Sequence, residues 1–231
     1  RGPTPTPTRV QGADEMRETE LLLNAVVTRQ APGSCAPYMG SLVVDQEDER
    51  NLRDSGLKAG KYLVWRYEGA FTLALYMQRR DFPSGLSEEM MGCAVSQCGE
   101  KAVVQQTMIQ IMQANKKLHD IGLVHRDIKP RNIILAETER SLKLVDLGAC
   151  ADLRRGTNYV PDESILDPMY CPPEQYVMPI DTIDIASASA PVQMAMTPML
   201  WVKHRPDLFD SYSMGLVFLQ LAVPAYRSEA G

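Results

Sequence analysis

Residues 125–133 read His-Arg-Asp-Ile-Lys-Pro-Arg-Asn-Ile, and this stretch constrains the fold more than any other part of the chain. It follows a segment with helical periodicity and leads into two strand-like runs, residues 133–135 and 142–145, joined by a short polar turn. Asp146-Leu147-Gly148 comes directly after the second run. Two adjacent strands would return the chain to its starting point, so the loop and Asp146 should line one cleft.

The side chains of this cleft suit phosphoryl transfer from a nucleotide to a hydroxyl group. Asp127 would accept a hydrogen bond from the attacking hydroxyl and take its proton as transfer completes. Lys129 would reach the γ-phosphate of ATP and offset its growing charge. Asn132 and Asp146 would supply oxygen ligands to Mg²⁺, a hard cation that takes few protein groups. His125 has a plainer interpretation, as a packed side chain that steadies the loop.

The composition is that of a globular chain that can bury a sizeable core, because 45% of the 231 residues are hydrophobic and 23% are charged. The net charge of −5 gives no footprint for nucleic acid or an anionic membrane. No apolar run reaches the roughly 18 residues of a membrane span. The five cysteines lack a metal-binding spacing, which favours free thiols in a reducing compartment, although Cys93 and Cys98 are close enough for a redox-sensitive pair.

Periodicity predicts the remaining elements. Residues 1–11 alternate Pro and Thr and are typical of a linker or disordered segment. Apolar residues at helical spacing indicate helices, and short runs of β-branched and aromatic residues indicate strands. The expected helices are residues 13–29, 71–80, 101–121 and 210–223, and the expected strands outside the cleft are residues 41–44 and 61–67.

The cleft motifs resemble those of eukaryotic-type protein kinases. Four further stretches resemble the chloroplast thylakoid state-transition kinases of plants and green algae, which phosphorylate light-harvesting antenna proteins. These are Tyr-Leu-Val-Trp-Arg-Tyr-Glu-Gly at 62–69, Leu-Asp-Pro-Met-Tyr-Cys-Pro-Pro-Glu at 166–174, Pro-Asp-Leu-Phe-Asp-Ser-Tyr-Ser-Met-Gly at 206–215 and Ala-Val-Pro-Ala-Tyr-Arg-Ser at 222–228.

The resemblance implies an α+β, bilobal protein-kinase fold. Residues 12–68 would form a small, partly β and incomplete N-lobe, and residues 69–231 a mainly helical C-lobe that stops after the helix carrying Asp210. Residues 177–203 would be an insertion, either a docking surface or a hydrophobic cap. The implied activity is transfer of phosphate from ATP to Ser/Thr hydroxyls, with antenna proteins as substrates at the stromal face of the thylakoid.

The resemblance also implies a nucleotide-binding segment. Its members would be Trp65, Arg66, Tyr67, Glu68, Ile134 and Val145. The backbone of residues 66–68 would hydrogen-bond adenine, and Ile134 would form the apolar floor beneath it. Trp65 would guard the back of the pocket, or it is an ordinary core aromatic.

Helix 13–29 should also carry the carboxylate that pairs with a kinase's nucleotide-binding lysine. Glu18 is the preferred candidate because Leu21 and Leu22 follow at the expected spacing, and Glu15 and Glu20 compete with it.

Regulation would act through Arg126, which can pair with a phosphate on the activation loop and order it. The candidate acceptors are Thr157, Tyr159 and Ser164, each of which can equally be an unmodified loop hydroxyl. Two departures from the usual kinase pattern stand out. Leu147 replaces a phenylalanine, and Asp167 takes the place of a threonine and could pair with Lys129.

No glycine-rich loop and no strand lysine precede helix 13–29. We therefore expect these 231 residues alone to bind nucleotide weakly and a longer parent protein to be active. One alternative is a pseudokinase or binding module that lacks those parts. Another is a small-molecule phosphotransferase, which Lys129 and the segment that ends at Glu174 disfavour.

Overall fold

The computed structural model describes residues 13–51, 53–155, 166–175, 177–179, 182, 185 and 188–229. The elements of the first part, in chain order, are helix α1 (Ala13–Gln30), strand β1 (Tyr38–Val44), helix α2 (Gln46–Asn51) and strand β2 (Gly60–Trp65). The expected helix 13–29 is confirmed, and β1 begins earlier than the predicted 41–44. Strand β2 ends at Trp65, so residues 66 and 67 lie outside the strand predicted over 61–67.

Strands β1 and β2 form an antiparallel hairpin with a bulge between Tyr38 and Gly40. Helix α1 packs into the core through Leu23 and Val27, which lie on one face because they are four residues apart. The indole N–H of Trp65 donates to Asn24 Oδ1 at 2.9 Å, which connects the end of β2 to α1.

Four helices follow: α3 (Leu73–Gln78), α4 (Ser84–Met91), α5 (Val95–Cys98) and α6 (Glu100–Asp120). Helix α3 is shorter than the predicted 71–80, and α4 and α5 were not predicted. The long helix predicted over 101–121 is confirmed as α6. Its buried residues Val103, Ile111 and Leu118 recur with helical spacing along one face, and the chain then turns at Gly122, whose φ of 77° suits glycine.

The cleft is built on two short antiparallel sheets. Strands β3 (Leu123–Val124) and β6 (Ala151–Asp152) form one, and strands β4 (Ile133–Ala136) and β5 (Ser141–Leu144) form the other. The predicted strands 133–135 and 142–145 are therefore confirmed, although β4 ends one residue later and β5 lies one residue earlier than predicted. The pairing Ile133↔Leu144 brings residue 132 close to residue 145.

Two longer helices follow, α7 (Ala190–His204) and α8 (Asp207–Ala222), and a short 3₁₀ helix (Pro224–Glu229) comes after them. Helix α8 begins three residues before the predicted 210–223. Helix α7 lies within the proposed insertion and packs inward through Thr197 and Leu200. Its outer side is apolar as well, since Met194, Met199 and Val202 are more than 70% exposed.

The buried side chains form two hydrophobic clusters. The larger joins α1, α3, α4, α6, β4, β5 and α8, and the smaller lies among β6, α7 and the start of α8. Helix α8 contributes to both, with Val217 in the first and Phe209 in the second. Within the residues that the structure describes, no helix is both long and apolar enough to cross a membrane.

Candidate active site

A buried carboxylate of α8 anchors the loop of residues 125–132 through its backbone. Asp210 is fully buried and accepts the backbone N–H groups of His125 at 2.9 Å and Arg126 at 2.8 Å. Its Oδ2 also lies 2.7 Å from His119 Nε2. Burial pushes the pKa of Asp210 upward, but the hydrogen bond from His119 and the nearby positive charge outweigh it, so the pKa is lowered.

His125 is a packed residue of this loop, as its plainer interpretation predicts. Its Nε2 lies 3.2 Å from the carbonyl oxygen of Val145, and its Nδ1 lies 3.3 Å from the backbone N–H of Asp127. These two contacts fix the orientation of the His125 ring within the loop.

Asp127, Lys129 and Asn132 converge on one oxygen atom. Oδ2 of Asp127 lies 2.9 Å from Lys129 Nζ and accepts a hydrogen bond from Asn132 Nδ2 at 2.7 Å. Its other oxygen, Oδ1, has no hydrogen-bond partner in the described part of the chain. Burial raises the pKa of Asp127, although Lys129 opposes the shift. The Oδ1 oxygen is also buried in the structure.

Lys129 also contacts the segment that ends the activation loop. Its Nζ lies 3.1 Å from Asp167 Oδ2, so the pair expected from the sequence is present. Burial alone would lower the pKa of Lys129, but Asp127 and Asp167 raise it overall. Asp167 is itself held in a turn, because its Oδ1 accepts the backbone N–H of Met169 at 3.0 Å.

Asn132 and Asp146 are arranged so that they could hold a cation between them. The backbone N–H of Val145 donates to the Asn132 carbonyl at 2.9 Å, which joins the two segments. Because Nδ2 of Asn132 donates to Asp127, its Oδ1 faces away from that carboxylate. Asp146 has a φ of 67°, a left-handed backbone conformation that is uncommon for residues other than glycine.

The donor set fits Mg²⁺ bound together with a nucleotide. In the described residues, no cluster of three or more His, Cys, Asp or Glu side chains is arranged to hold a metal ion. One carboxylate and one amide oxygen would leave the remaining positions to phosphate oxygens and water, which is how Mg²⁺ is usually held.

A cavity of about 410 Å³ opens beside these residues. It is mostly apolar, and its lining includes all six residues of the expected nucleotide-binding segment, namely Trp65, Arg66, Tyr67, Glu68, Ile134 and Val145. Asp146 and Leu147 also line it, so the cavity and the metal-binding side chains are continuous. The sequence analysis did not assign Asn24, Cys35, Ala36, Gly69 or Leu144 to this cavity, and they also line it.

The helix carboxylate at this cavity is Glu20, not Glu18. The side chain of Glu18 is 74% exposed and lies 4.0 Å from Arg17, whereas Glu20 lines the cavity. Burial raises the pKa of Glu20, and the charge of Asp146 raises it further. Glu18 therefore lies on the solvent side of α1, contrary to the preferred prediction, and its competitor Glu20 lies on the side that faces the cavity. The side chain of Glu15 lies outside the described residues.

Of the predicted regulatory residues, the structure describes Arg126. Arg126 is buried with a φ of 69°, and its guanidinium carbon lies 5.8 Å from the centre of the Phe209 ring. Thr157, Tyr159 and Ser164 lie outside the described residues. Their role as phosphate acceptors remains a prediction.

Comparison with known proteins agrees with this geometry. The model of the protein kinase domain matches residues 75–187. The chloroplastic serine/threonine-protein kinase STN8 of Arabidopsis thaliana is 44% identical over 226 residues, which cover 96% of this chain and 44% of STN8. The chloroplastic STN7 of the same plant is 41% identical over 223 residues, covering 94% of this chain and 38% of STN7. The chain thus spans less than half the length of either relative.

A solved structure shows the same fold. The crystal structure of a Stt7 homolog from Micromonas algae, soaked with ATP, superposes with a TM-score of 0.78 at 33% identity and covers 95% of this chain and 63% of that one. The same assignment, a protein kinase, follows from the residues at the cleft, from the family model and from these relatives. The chain belongs to the protein kinase family and is similar, along almost all of its length, to the chloroplast serine/threonine kinases STN8 and STN7.

Proposed function

We propose that the chain is the catalytic part of a protein kinase that transfers the γ-phosphate of ATP to Ser/Thr hydroxyls, with Mg²⁺ as cofactor. The observation that carries the proposal is the convergence of Asp127, Lys129 and Asn132 on one carboxylate oxygen, next in the fold to a cavity that Asp146 lines. Phosphoryl transfer needs positioned charge more than covalent chemistry, and these residues supply it.

Each side chain has a role that its contacts support. Asp127 accepts the proton of the attacking hydroxyl, while Lys129 and Asn132 fix its carboxylate through Oδ2. Lys129 has three N–H donors, and its two ion pairs leave one for the γ-phosphate. Mg²⁺, when bound by Asn132 and Asp146, would neutralise charge on the phosphates.

The relatives support a location and a substrate class. STN8 and STN7 are chloroplastic kinases, and the stretches at 62–69, 166–174 and 206–215 resemble the thylakoid state-transition kinases. We therefore propose that the protein acts at the stromal face of the thylakoid membrane on light-harvesting antenna proteins. No nucleic-acid partner is proposed, since the net charge of −5 provides no basic footprint.

The test is phosphate transfer by the full-length gene product, with Asp127→Asn as the matched variant. Radiolabelled Mg-ATP and a threonine-bearing antenna peptide are the substrates. We expect transfer by the native protein and a loss of at least about a hundredfold in Asp127→Asn, because general-base catalysis typically contributes that much. Nucleotide binding without transfer by the native protein would instead favour a pseudokinase.

A further inference from the structure

Four charged side chains form one cluster beneath the segment that lines the cavity. Lys143 Nζ lies 3.0 Å from Glu68 Oε2 and 2.7 Å from Glu139 Oε2. Arg66 completes the ring, with Nε 2.7 Å from Glu68 Oε1 and a second nitrogen 2.7 Å from Glu139 Oε1. We call Arg66, Glu68, Glu139 and Lys143 the hinge cluster. Each cation contacts both carboxylates.

The inner half of the hinge cluster is removed from solvent. The side chains of Lys143 and Glu68 are 1% and 2% exposed, whereas those of Arg66 and Glu139 are 51% and 43% exposed. A buried ion pair adds little net stability, but removal of one partner leaves an uncompensated charge and is strongly destabilising. Such a pair therefore fixes where its two backbones lie, here strand β5 and the segment after β2.

Glu68 is the link between this cluster and the cavity. Its side chain is held by Lys143 and Arg66, and the residue itself lines the cavity. Its carbonyl oxygen accepts the N–H of Glu137 at 2.9 Å, which holds the segment from the same side. A Cβ atom at Gly69 would collide with the carbonyl oxygen of Leu135, so the segment approaches β4 closely.

The polar backbone of the segment remains available to a ligand. Within the described part of the chain, neither the N–H nor the carbonyl oxygen of Tyr67 is engaged in a hydrogen bond, nor is the N–H of Glu68. A ligand that bonds to these groups must find them already in place, because an ordering cost paid at binding lowers affinity.

We propose that Lys143 is a positioning residue for nucleotide binding, which acts through Glu68 and Glu139 to hold the backbone of residues 66–68 in its binding conformation. The inference rests on the proposed kinase function. Lys143 neither lines the cavity nor belongs to the cluster of Asp127, Lys129 and Asn132. Its contribution is therefore expected in ATP affinity and not in the chemical step.

The experiment compares Lys143→Met with Lys116→Met in the full-length gene product. Lys116 is a matched control because it too pairs with a carboxylate, Asp120 at 2.6 Å, but on the exposed side of α6. The readouts are the Kd of a fluorescent ATP analogue, and KM for ATP set against kcat. We expect Lys143→Met to raise Kd and KM about tenfold with kcat changed less than about twofold, the pattern of lost ground-state binding. Lys116→Met should leave all three unchanged.

Two further variants separate positioning from folding. Glu139→Gln removes a half-exposed carboxylate, keeps the buried pair, and should raise KM about two- to threefold. Where Lys143→Met does not fold, Glu68→Gln/Lys143→Met takes its place, since it leaves no buried unpaired charge. An unchanged Kd in a folded variant, or a fall in kcat at unchanged KM, overturns the inference. A native protein that binds no ATP analogue contradicts the proposed function instead.

Discussion

Lys129 lies between two carboxylates, Asp127 at 2.9 Å and Asp167 at 3.1 Å, and the second of these is unusual for a kinase. The Asp167 carboxylate is 28% exposed and that of Asp127 is 14% exposed. Asp167→Ala should therefore leave Lys129 paired with Asp127 but less well oriented. We expect kcat to fall about fivefold, because a partly exposed ion pair contributes about 1 kcal/mol.

Steady-state kinetics with Asp167→Ala, Asp167→Thr and Asp120→Ala would check this expectation. Threonine supplies an oxygen that can accept from Lys129, so Asp167→Thr should recover part of the activity. Asp120 pairs with Lys116 on the exposed side of α6, and its removal should have no effect. Equal kcat in all three variants would show that Asp167 does not position Lys129.

At the residue scale, the sequence predicts the site wherever spacing alone determines geometry. Asp127, Lys129 and Asn132 lie within six residues of one loop, so their convergence follows from local conformation. Glu18 and Glu20 differ only in helical phase. The run Leu21-Leu22-Leu23 leaves that phase ambiguous, and the structure resolves it, with Leu23 buried and Leu22 39% exposed. Tertiary packing, not periodicity, selects Glu20.

At the scale of elements, α8 determines the position of the catalytic loop through Asp210. Asp210→Ala would leave the backbone N–H groups of His125 and Arg126 without their acceptor. We expect a loss of about 3 kcal/mol in the free energy of unfolding, because one partner of a buried charged network is removed. Urea denaturation at neutral pH measures it. Asp207→Ala, which breaks a more exposed pair with Arg205 in the first turn of α8, should cost less than about 0.5 kcal/mol.

The same carboxylate gives stability a pH dependence. The folded-state pKa of Asp210 is lowered, so its stabilising contribution is complete above the unfolded pKa of about 3.9 and is lost as the pH falls through the folded value. As the pH falls below about 4, the native protein should therefore lose more stability than Asp210→Ala does. If the free energy of unfolding fell equally with pH in the two proteins, this role of Asp210 would be refuted.

The spacing of apolar residues predicted some helices correctly and missed others, for identifiable reasons. Helix α6 has apolar residues on one face and polar ones on the other, which is the pattern that sequence reasoning detects. Helix α7 contains Pro198 and is apolar on both its buried and exposed sides, so it shows no amphipathic period. Helix α4 contains Gly85 and follows Pro83. Its helical state depends on the burial of Leu86 and Met90, which only the assembled core provides.

At the scale of the whole molecule, one cavity joins residues from α1, the segment after β2, β4, β5 and Asp146. Under the proposed function, these parts would supply the floor under adenine, the backbone that hydrogen-bonds it, the carboxylate of Glu20 and a metal ligand. No glycine-rich loop occurs in the 231 residues to cover bound phosphates. Nucleotide bound by this chain alone would therefore leave its phosphates more exposed to water than in a kinase with that loop, and affinity should be low.

Thermal unfolding with and without Mg-ATP would measure this difference between the 231-residue chain and the full-length gene product. A ligand present at about one hundred times its Kd stabilises the folded state by about 2.7 kcal/mol, which raises Tm by several degrees for a domain of this size. We expect such a shift for the full-length product and less than about 2 °C for the 231 residues at the same concentration. Asp146→Asn should abolish the part of the shift that depends on Mg²⁺, since the charged metal ligand is lost. Equal shifts in the two proteins would mean that the described cavity already holds all the groups on which nucleotide affinity depends.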